Sequence, residues 1–196
     1  MIEPSNITKY DRTRGELEEF MLFCVLCAGK SSAVQAVKLE EFLCGCQNGL
    51  AGGFCMYPFE MIRHMEKDGI LLDRMKKAKL GKYKLMMASF LALVNGYGLL
   101  RHRNLDHLRK KLASLPGVGL KTASLYILHS FEGCKMAVLD THLLRFLRKE
   151  YPKARIPKAS PQDADRYKQV EDLWLGYCYR NGHNPATHDL EIWNNK

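Results

Sequence analysis

The sequence predicts an all-α protein of about ten helices. Two observations support this prediction. Apolar residues recur along most of the chain at the spacing of an amphipathic helix, whereas runs with the two-residue alternation of a strand are nearly absent. Glycines, prolines and capping residues then divide these apolar patterns into segments of helical length.

Breaking residues set the boundaries of the segments in the first half of the chain. A helix over 14–28 ends at Gly29, and a second begins at Ser31 or Ser32 and runs to about residue 46. After a loop over 47–53, the further predicted helices of this half are residues 57–67, 70–80 and 82–94.

The second half begins with an amphipathic helix marked by Leu105, Leu108 and Leu112. A tight turn, Leu115-Pro-Gly-Val-Gly119, leads into a helix over 120–131. Asp140 follows an apolar run and is predicted to cap a helix over 141–149. The remaining predicted helices are residues 160–180 and a terminal segment, 185–196.

Composition favours a globular protein with an anionic partner. The 196 residues are 46% hydrophobic and 26% charged, with a formal net charge of +9. Nucleic acid is the commonest partner of such a basic chain, although the charge could equally serve solubility alone. No apolar stretch reaches the length of a membrane span, so we expect no membrane association.

The seven cysteines argue for a reducing, intracellular compartment, because an odd number without a secretory signal does not suggest a disulfide framework. Cys24 and Cys27 have metal-ligand spacing but lie inside an apolar run, which favours buried thiols. Cys44 and Cys46 have no matching pair nearby. We therefore expect neither a zinc site nor an iron–sulfur cluster.

The turn at residues 115–119 has the layout of a helix-hairpin-helix motif. Gly117 and Gly119 permit a tight turn and allow backbone N–H groups to approach a phosphate closely. The N-terminus of the following helix adds its positive dipole end to the same place. The alternative is a simple helical corner that needs glycine only for the turn.

Lys121 lies in the first turn of the helix after the hairpin. The positive helix end and the apolar Leu125 and Leu128 on the same face favour a neutral amine, which is the form that acts as a nucleophile. Spacing alone also allows a solvated lysine that touches a phosphate. Asp140, nineteen residues on, could likewise be a plain N-cap.

The sequence Leu115-Pro-Gly-Val-Gly-Leu-Lys-Thr-Ala123, followed by Val138-Leu-Asp-Thr-His142, resembles the helix-hairpin-helix DNA glycosylase superfamily. The resemblance implies a two-lobed fold with the active site in the cleft between the lobes. We expect residues 31–132 to form one lobe, and residues 1–30 with 133–196 to form the other. Lys121 and Asp140, the family's catalytic lysine and aspartate, would then face each other from opposite lobes.

A lysine at position 121 implies a bifunctional enzyme of base excision repair, a DNA N-glycosylase with abasic-site lyase activity. The amine would attack C1′ of a flipped-out nucleotide and expel the base, and the resulting Schiff base would undergo β-elimination. Asp140 would stabilise positive charge on the sugar and help to position or deprotonate the lysine.

The resemblance also implies contacts that do not involve catalysis. Backbone amides of Gly117, Gly119 and Thr122 would bind DNA phosphates, and His142 would add another contact. The hairpin carbonyls of Ala113, Leu115 and Val118 can hold a monovalent cation in this family. Double-stranded DNA with an oxidised base is the expected partner of a monomeric protein, in the cytoplasm of a prokaryote or the nucleus of a eukaryote.

The four-cysteine iron–sulfur loop of endonuclease III is missing, since only Cys178 follows Cys134. The chain therefore looks like the compact type 2 8-oxoguanine DNA glycosylases, which require no cofactor. Trp193 and Lys196 are candidates for the base pocket. A helix anchor and a solvated terminus are the respective alternatives.

Lys30 occupies the place where relatives present a loop that fills the gap left by the flipped base. A simple junction between two helices is an equally good interpretation.

Two other functions stay open. One is a cluster-free relative of endonuclease III that acts on oxidised pyrimidines. The other is a non-catalytic helix-hairpin-helix module that only holds DNA.

Overall fold

The computed structural model describes residues 2–47, 57–96, 100 and 102–195. These residues form helices and connecting segments without a β-strand, which confirms the all-α prediction for this part of the chain. The helices are α1 Arg14–Leu26, α2 Ser32–Gln47, α3 Pro58–Lys67, α4 Leu71–Lys77, α5 Tyr83–Asn95, α6 Leu105–Ala113, α7 Leu120–Leu128, α8 Thr141–Glu150, α9 Ala164–Asn181 and α10 Pro185–Asn194.

Local capping explains most of the boundaries. Thr13 and Glu16 form a reciprocal capping box at the start of α1, and Gly29 (φ 71°) follows its end. The start of α9 is later than predicted, because the Asp163 side chain accepts a hydrogen bond from Arg166 N at 2.8 Å and caps the helix there. The predicted loop over 47–53 lies almost entirely outside the described residues.

The contacts divide the chain into two compact units. The first comprises residues 2–4 and 12–118, and the second comprises residues 5–11 and 119–195. This division differs from the predicted lobes for residues 2–4 and 12–30, which were expected with the C-terminal segment, and for residues 119–132, which were expected with the first lobe. The apolar side chains of α1 pack against α2, α3 and α5, which assigns α1 to the first unit.

A buried carboxylate joins α1 to α3 in the first unit. Glu18 is fully buried, accepts a hydrogen bond from Phe59 N at 2.9 Å and pairs with Arg14 at 3.0 Å. Arg14 also bonds Glu60 at 3.1 Å. Because burial of an unpaired carboxylate is costly, these partners are needed for Glu18 to cap the N-terminal turn of α3.

Helices α8 and α9 supply most of the core of the second unit, and Ile192 of α10 packs against it. Trp174 and Tyr167 of α9 are among its fully buried side chains, together with Leu143, Leu144 and Leu147 of α8. Leu120, at the start of α7, packs against this cluster. The N-terminal segment 5–11 joins the unit through a hydrogen bond from Lys9 N to His129 O of 3.0 Å.

Candidate active site and hairpin

Asp140 follows a buried segment without regular secondary structure, residues 136–139. Its Oδ1 accepts hydrogen bonds from His142 N at 2.9 Å and Leu143 N at 2.8 Å, so the predicted N-cap of α8 is confirmed. Both capping bonds go to one carboxylate oxygen. A carboxylate has further acceptor capacity at Oδ2, so capping and a chemical role are compatible.

Two side chains of α9 hold the segment that carries Asp140. Glu171 Oε1 accepts from Ala137 N at 2.9 Å, and the Tyr167 hydroxyl donates to Ala137 O at 2.7 Å. The same hydroxyl accepts from Leu139 N at 3.4 Å. These side chains replace the partners that a neighbouring strand would supply, because buried backbone groups must be satisfied. Tyr167 and Glu171 thus hold the segment that leads into Asp140.

Lys121 is the second residue of α7 and is half-buried. No side chain caps this helix, whose N-cap is Gly119. The first amides of α7 therefore lack a side-chain acceptor, as at a helix end that receives an anion. Ser124, three residues on and so on the same side of the helix, is buried with no hydrogen-bond partner for its Oγ.

Lys121 and Asp140 both belong to the second unit. The resemblance implied that they stand on opposite lobes. In the structure α7 is grouped with α8, α9 and α10, since Leu120 packs against their core and His129 contacts Asp189 of α10. Each residue lies at the N-terminal end of its own helix.

The two hairpin glycines have different structural requirements. Gly117 has a φ of 71°, and a Cβ there would lie 2.4 Å from Ser89 Oγ and 3.3 Å from Leu85, so glycine is required for both conformation and space. Gly119 has an ordinary φ of −94°, and a Cβ there would meet nothing within 4 Å. The turn itself explains only Gly117.

The structure brings together two residues that the sequence assigned to different roles. The ring of His142 contacts the ring of Trp193 edge to face, with centroids 5.1 Å apart. Both side chains are half-buried. The Thr122 side chain is buried, so only its backbone amide could serve a phosphate. Lys196 lies outside the described residues.

The amine of Lys30 contacts the protein backbone in the turn after α4. Its Nζ donates a hydrogen bond of 2.6 Å to Leu80 O, and burial together with Lys82 and Lys38 lowers the pKa of this amine. The contact ties the α1–α2 junction to the turn after α4. The gap-filling role of Lys30 stays a prediction.

Among the described residues, no group of three or more His, Cys, Asp or Glu is placed to hold a metal ion. The predicted cation site uses backbone carbonyls instead. Of these, Leu115 O accepts a hydrogen bond from Val118 N at 3.1 Å. A carbonyl oxygen has two lone pairs, so this bond leaves one for a cation.

The sequence did not point to a polar cluster in the second unit. Asp189 Oδ2 lies 3.3 Å from His129 Nε2, and His129 Nδ1 lies 2.8 Å from Thr8 Oγ1. Burial raises the pKa of Asp189, the His129 contact opposes this shift, and the nearby charge of Asp140 adds to it. In the sequence, the local sign of this cluster is the polar pair His129-Ser130 directly after the apolar helix α7.

Comparison with known proteins identifies the class of fold. In its described residues the chain has the all-helical fold of the 8-oxoguanine DNA glycosylases. No family model matches its sequence, and neither does any curated protein.

Within the described residues, no helix has the length and apolar character needed to cross a bilayer.

Among the solved structures that are similar to this chain, three that each cover 93% of it show the relation. The 8-oxoguanine DNA glycosylase of Methanocaldococcus jannaschii matches with a TM-score of 0.63 and 19% identity over 78% of its own chain. The 8-oxoguanine glycosylase/lyase of that organism, in complex with a 15mer DNA containing 8-oxoguanine, gives 0.65 and 18% over 81%. The 8-oxoguanine DNA glycosylase of Thermotoga maritima gives 0.63 and 22% over 80%.

Proposed function

We propose that this protein is a bifunctional DNA N-glycosylase and abasic-site lyase that removes 8-oxoguanine from duplex DNA. One observation carries the proposal. Lys121 lies in the first turn of α7, directly after a glycine hairpin, in a chain whose fold matches 8-oxoguanine DNA glycosylases. Asp140, which follows a segment held by hydrogen bonds from α9, supplies the carboxylate.

In the proposed reaction the neutral amine of Lys121 forms a bond to C1′ while the bond between C1′ and the base breaks. The base leaves with the electron pair and takes up a proton. Asp140 stabilises the positive charge that develops on the sugar and accepts a proton from the lysine. The sugar ring then opens to a Schiff base between Nζ and C1′.

The lyase step follows from that Schiff base. Loss of a proton from C2′ expels the phosphate on the 3′ side, which nicks the strand. Water then hydrolyses the bond between nitrogen and carbon and restores the free lysine. None of these steps consumes an external oxidant or reductant, so the reaction needs no redox cofactor.

Two features support phosphate binding at the hairpin. The N-terminal amides of α7 have no side-chain cap, and the surface at Gly119 is open where a Cβ would otherwise project. Backbone amides at a helix N-terminus bind phosphate without reading the base sequence. Recognition of the lesion would then depend on the flipped base, for which Trp193 is a candidate contact, while the neighbouring His142 is a candidate phosphate contact.

A panel of duplexes tests the proposal. We expect the wild-type protein to release the base and nick the strand of a duplex containing 8-oxoguanine, and to leave an undamaged duplex intact. Faster excision of thymine glycol would favour the oxidised-pyrimidine alternative. Binding of every duplex without base release or nicking would favour the non-catalytic module and overturn the proposal.

A further inference from the structure

His129 is the point at which the N-terminal segment of the second unit meets α7 and α10. It is the C-cap of α7 and is fully buried. Its carbonyl oxygen accepts a hydrogen bond from Lys9 N at 3.0 Å, its Nδ1 lies 2.8 Å from Thr8 Oγ1, and its Nε2 lies 3.3 Å from Asp189 Oδ2. Burial of an imidazole is costly unless its nitrogens have partners. Here the partners come from two other elements, so the ring joins three parts of the unit.

The Thr8 hydroxyl determines how the ring meets α10. An ionised carboxylate only accepts hydrogen bonds, so the ring proton in the contact with Asp189 is on Nε2. The Nδ1 atom of a neutral ring then accepts a hydrogen bond, and the Thr8 hydroxyl donates it. Loss of this hydroxyl would take the donor from Nδ1 and, with it, the preference for the tautomer that pairs with Asp189.

The same N-terminal segment also holds the end of α10. Asn194, the last residue of α10, donates a hydrogen bond of 3.0 Å from Nδ2 to Ser5 O. Asp189 lies one helical turn before Trp193 and therefore on the same face of the helix. Trp193 thus lies between two contacts with the N-terminal segment, one direct and one that passes through His129.

Apolar packing alone gives α10 a weak attachment. Of its ten residues, all of which the structure describes, Ala186 alone is fully buried, and the half-buried Ile192 packs against the core of the unit. Helix α8, by comparison, buries Leu143, Leu144 and Leu147. Burial of apolar surface is the main force that holds a helix in place. Helix α10 therefore depends more than α8 on polar contacts for its position.

This attachment matters for the chemistry because α7 and α10 carry different parts of the candidate site. Lys121 is at the start of α7, and the proposed reaction at C1′ uses its amine. Trp193 of α10 is the candidate contact for the flipped base. The contact between His129 and Asp189 joins the end of α7 to α10, so it influences where the base contact lies relative to the amine.

We propose that His129 is a positioning residue for base recognition, which holds α10 and its Trp193 in place relative to α7 through contacts with Thr8 and Asp189. This inference rests on the proposed function, since it takes excision of a damaged base as the reaction. His129 is fully buried, so it acts through α10 rather than by contact with DNA. Excision requires a bound base, whereas an abasic site has none. The network should therefore serve excision and not the nicking of a preformed abasic site.

The substitution Thr8→Val tests the proposal, because valine has the shape of threonine without the hydroxyl. We expect kcat/KM for excision of 8-oxoguanine to fall about fivefold, the usual effect of one lost hydrogen bond. Nicking of a duplex that already contains an abasic site should keep the wild-type rate. Thr8→Ser, which retains a hydroxyl, should excise the base like the wild type. Asp189→Asn interrupts the network from its other side and should show the same split between the two substrates.

Thr187→Val is the matched control, since it removes the hydroxyl of an exposed threonine on α10 itself. It should leave both rates unchanged. Equal losses on both substrates in a folded Thr8→Val or Asp189→Asn protein would mean that the network only supports the fold, and unchanged excision would mean that it does not position α10. Either result overturns this inference, while excision by the wild type leaves the proposed function intact. A wild type that neither excises 8-oxoguanine nor nicks an abasic site overturns both.

Discussion

At the scale of single residues, Asp140 has two roles that the structure can separate. Its Oδ1 caps α8 through two backbone N–H groups, and the proposed chemistry uses its negative charge. Asparagine is as good an N-cap as aspartate but carries no charge, whereas alanine provides neither. A pair of substitutions therefore distinguishes stability from catalysis.

We expect Asp140→Asn to keep a Tm near that of the wild type and to lower the rate of base excision by about a hundredfold or more, the usual effect of losing such electrostatic stabilisation. Asp140→Ala should lose activity and also about 1 kcal/mol of stability. Thermal melts and single-turnover excision measure the two effects. An Asp140→Asn protein with full activity would reduce Asp140 to a cap.

Cys178 gives a residue-level prediction about pH. Burial, together with the Asp189 carboxylate, raises the pKa of this thiol to about 12. Above the ordinary thiol pKa the unfolded chain loses this proton and the folded chain keeps it. The free energy of unfolding should therefore fall with rising pH, by up to about 1.4 kcal/mol per pH unit from this group.

Denaturant titrations between pH 8 and about pH 11 check this prediction, in a range set by the thiol pKa values. Cys178→Ala should be less stable than the wild type at neutral pH but should show a shallower loss of stability on the alkaline side. Cys44→Ala, which alters an exposed thiol, should follow the wild-type slope. Equal slopes for all three proteins would contradict the assigned pKa shift.

At the scale of elements, the hairpin combines a glycine that the turn requires with one that it does not. Gly117 adopts a left-handed backbone against Ser89 and Leu85, whereas Gly119 has ordinary geometry and open space. If phosphate approaches the amides at Gly119, the missing side chain matters only when DNA is bound. Stability and DNA affinity should therefore respond to different glycines.

We expect Gly119→Ala to leave the Tm nearly unchanged and to weaken binding of undamaged duplex DNA severalfold. Gly117→Ala should lower the Tm, because the Cβ collides with Ser89 Oγ and the backbone is strained. Melting curves and fluorescence anisotropy with a labelled duplex give both quantities. Wild-type affinity in a folded Gly119→Ala protein would argue against phosphate binding at this turn.

The sequence predicts elements well where their signals are local. The cap at Asp140, the break at Gly29 and the hairpin glycine at 117 all depend on residues near in sequence, and each is found in the structure. The support of Asp140 by Tyr167 and Glu171 could not be predicted in this way. Those hydrogen bonds join residues about thirty positions apart and leave no periodic pattern.

At the scale of the whole molecule, the fold class was predictable and the grouping of helices was not. Helical periodicity identifies α1 as an apolar helix but does not say which helices bury it. In the structure it packs in the first unit, and α7 joins the second. The lysine and aspartate of the motif therefore share one unit, whereas the family resemblance implied that they lie on opposite lobes.

The net charge of the whole molecule does not by itself indicate a partner, and its distribution over the surface has to be considered. The excess of +9 is compatible with simple solubility. The structure gathers part of it around the turn between α4 and α5, where residues 76–84 include five exposed lysines and the amines of Lys30 and Lys38 donate to backbone carbonyl oxygens.

Borohydride reduction during turnover tests most directly whether the amine of Lys121 forms a covalent bond with deoxyribose. With a duplex containing 8-oxoguanine, the wild type should yield a stable protein–DNA adduct, and mass spectrometry should locate the modification on residue 121. The control Lys135→Gln, which alters an exposed lysine, should yield the same adduct. Lys121→Gln should yield none. An adduct in the Lys121→Gln protein, or none in a wild type that excises the base, would contradict the account.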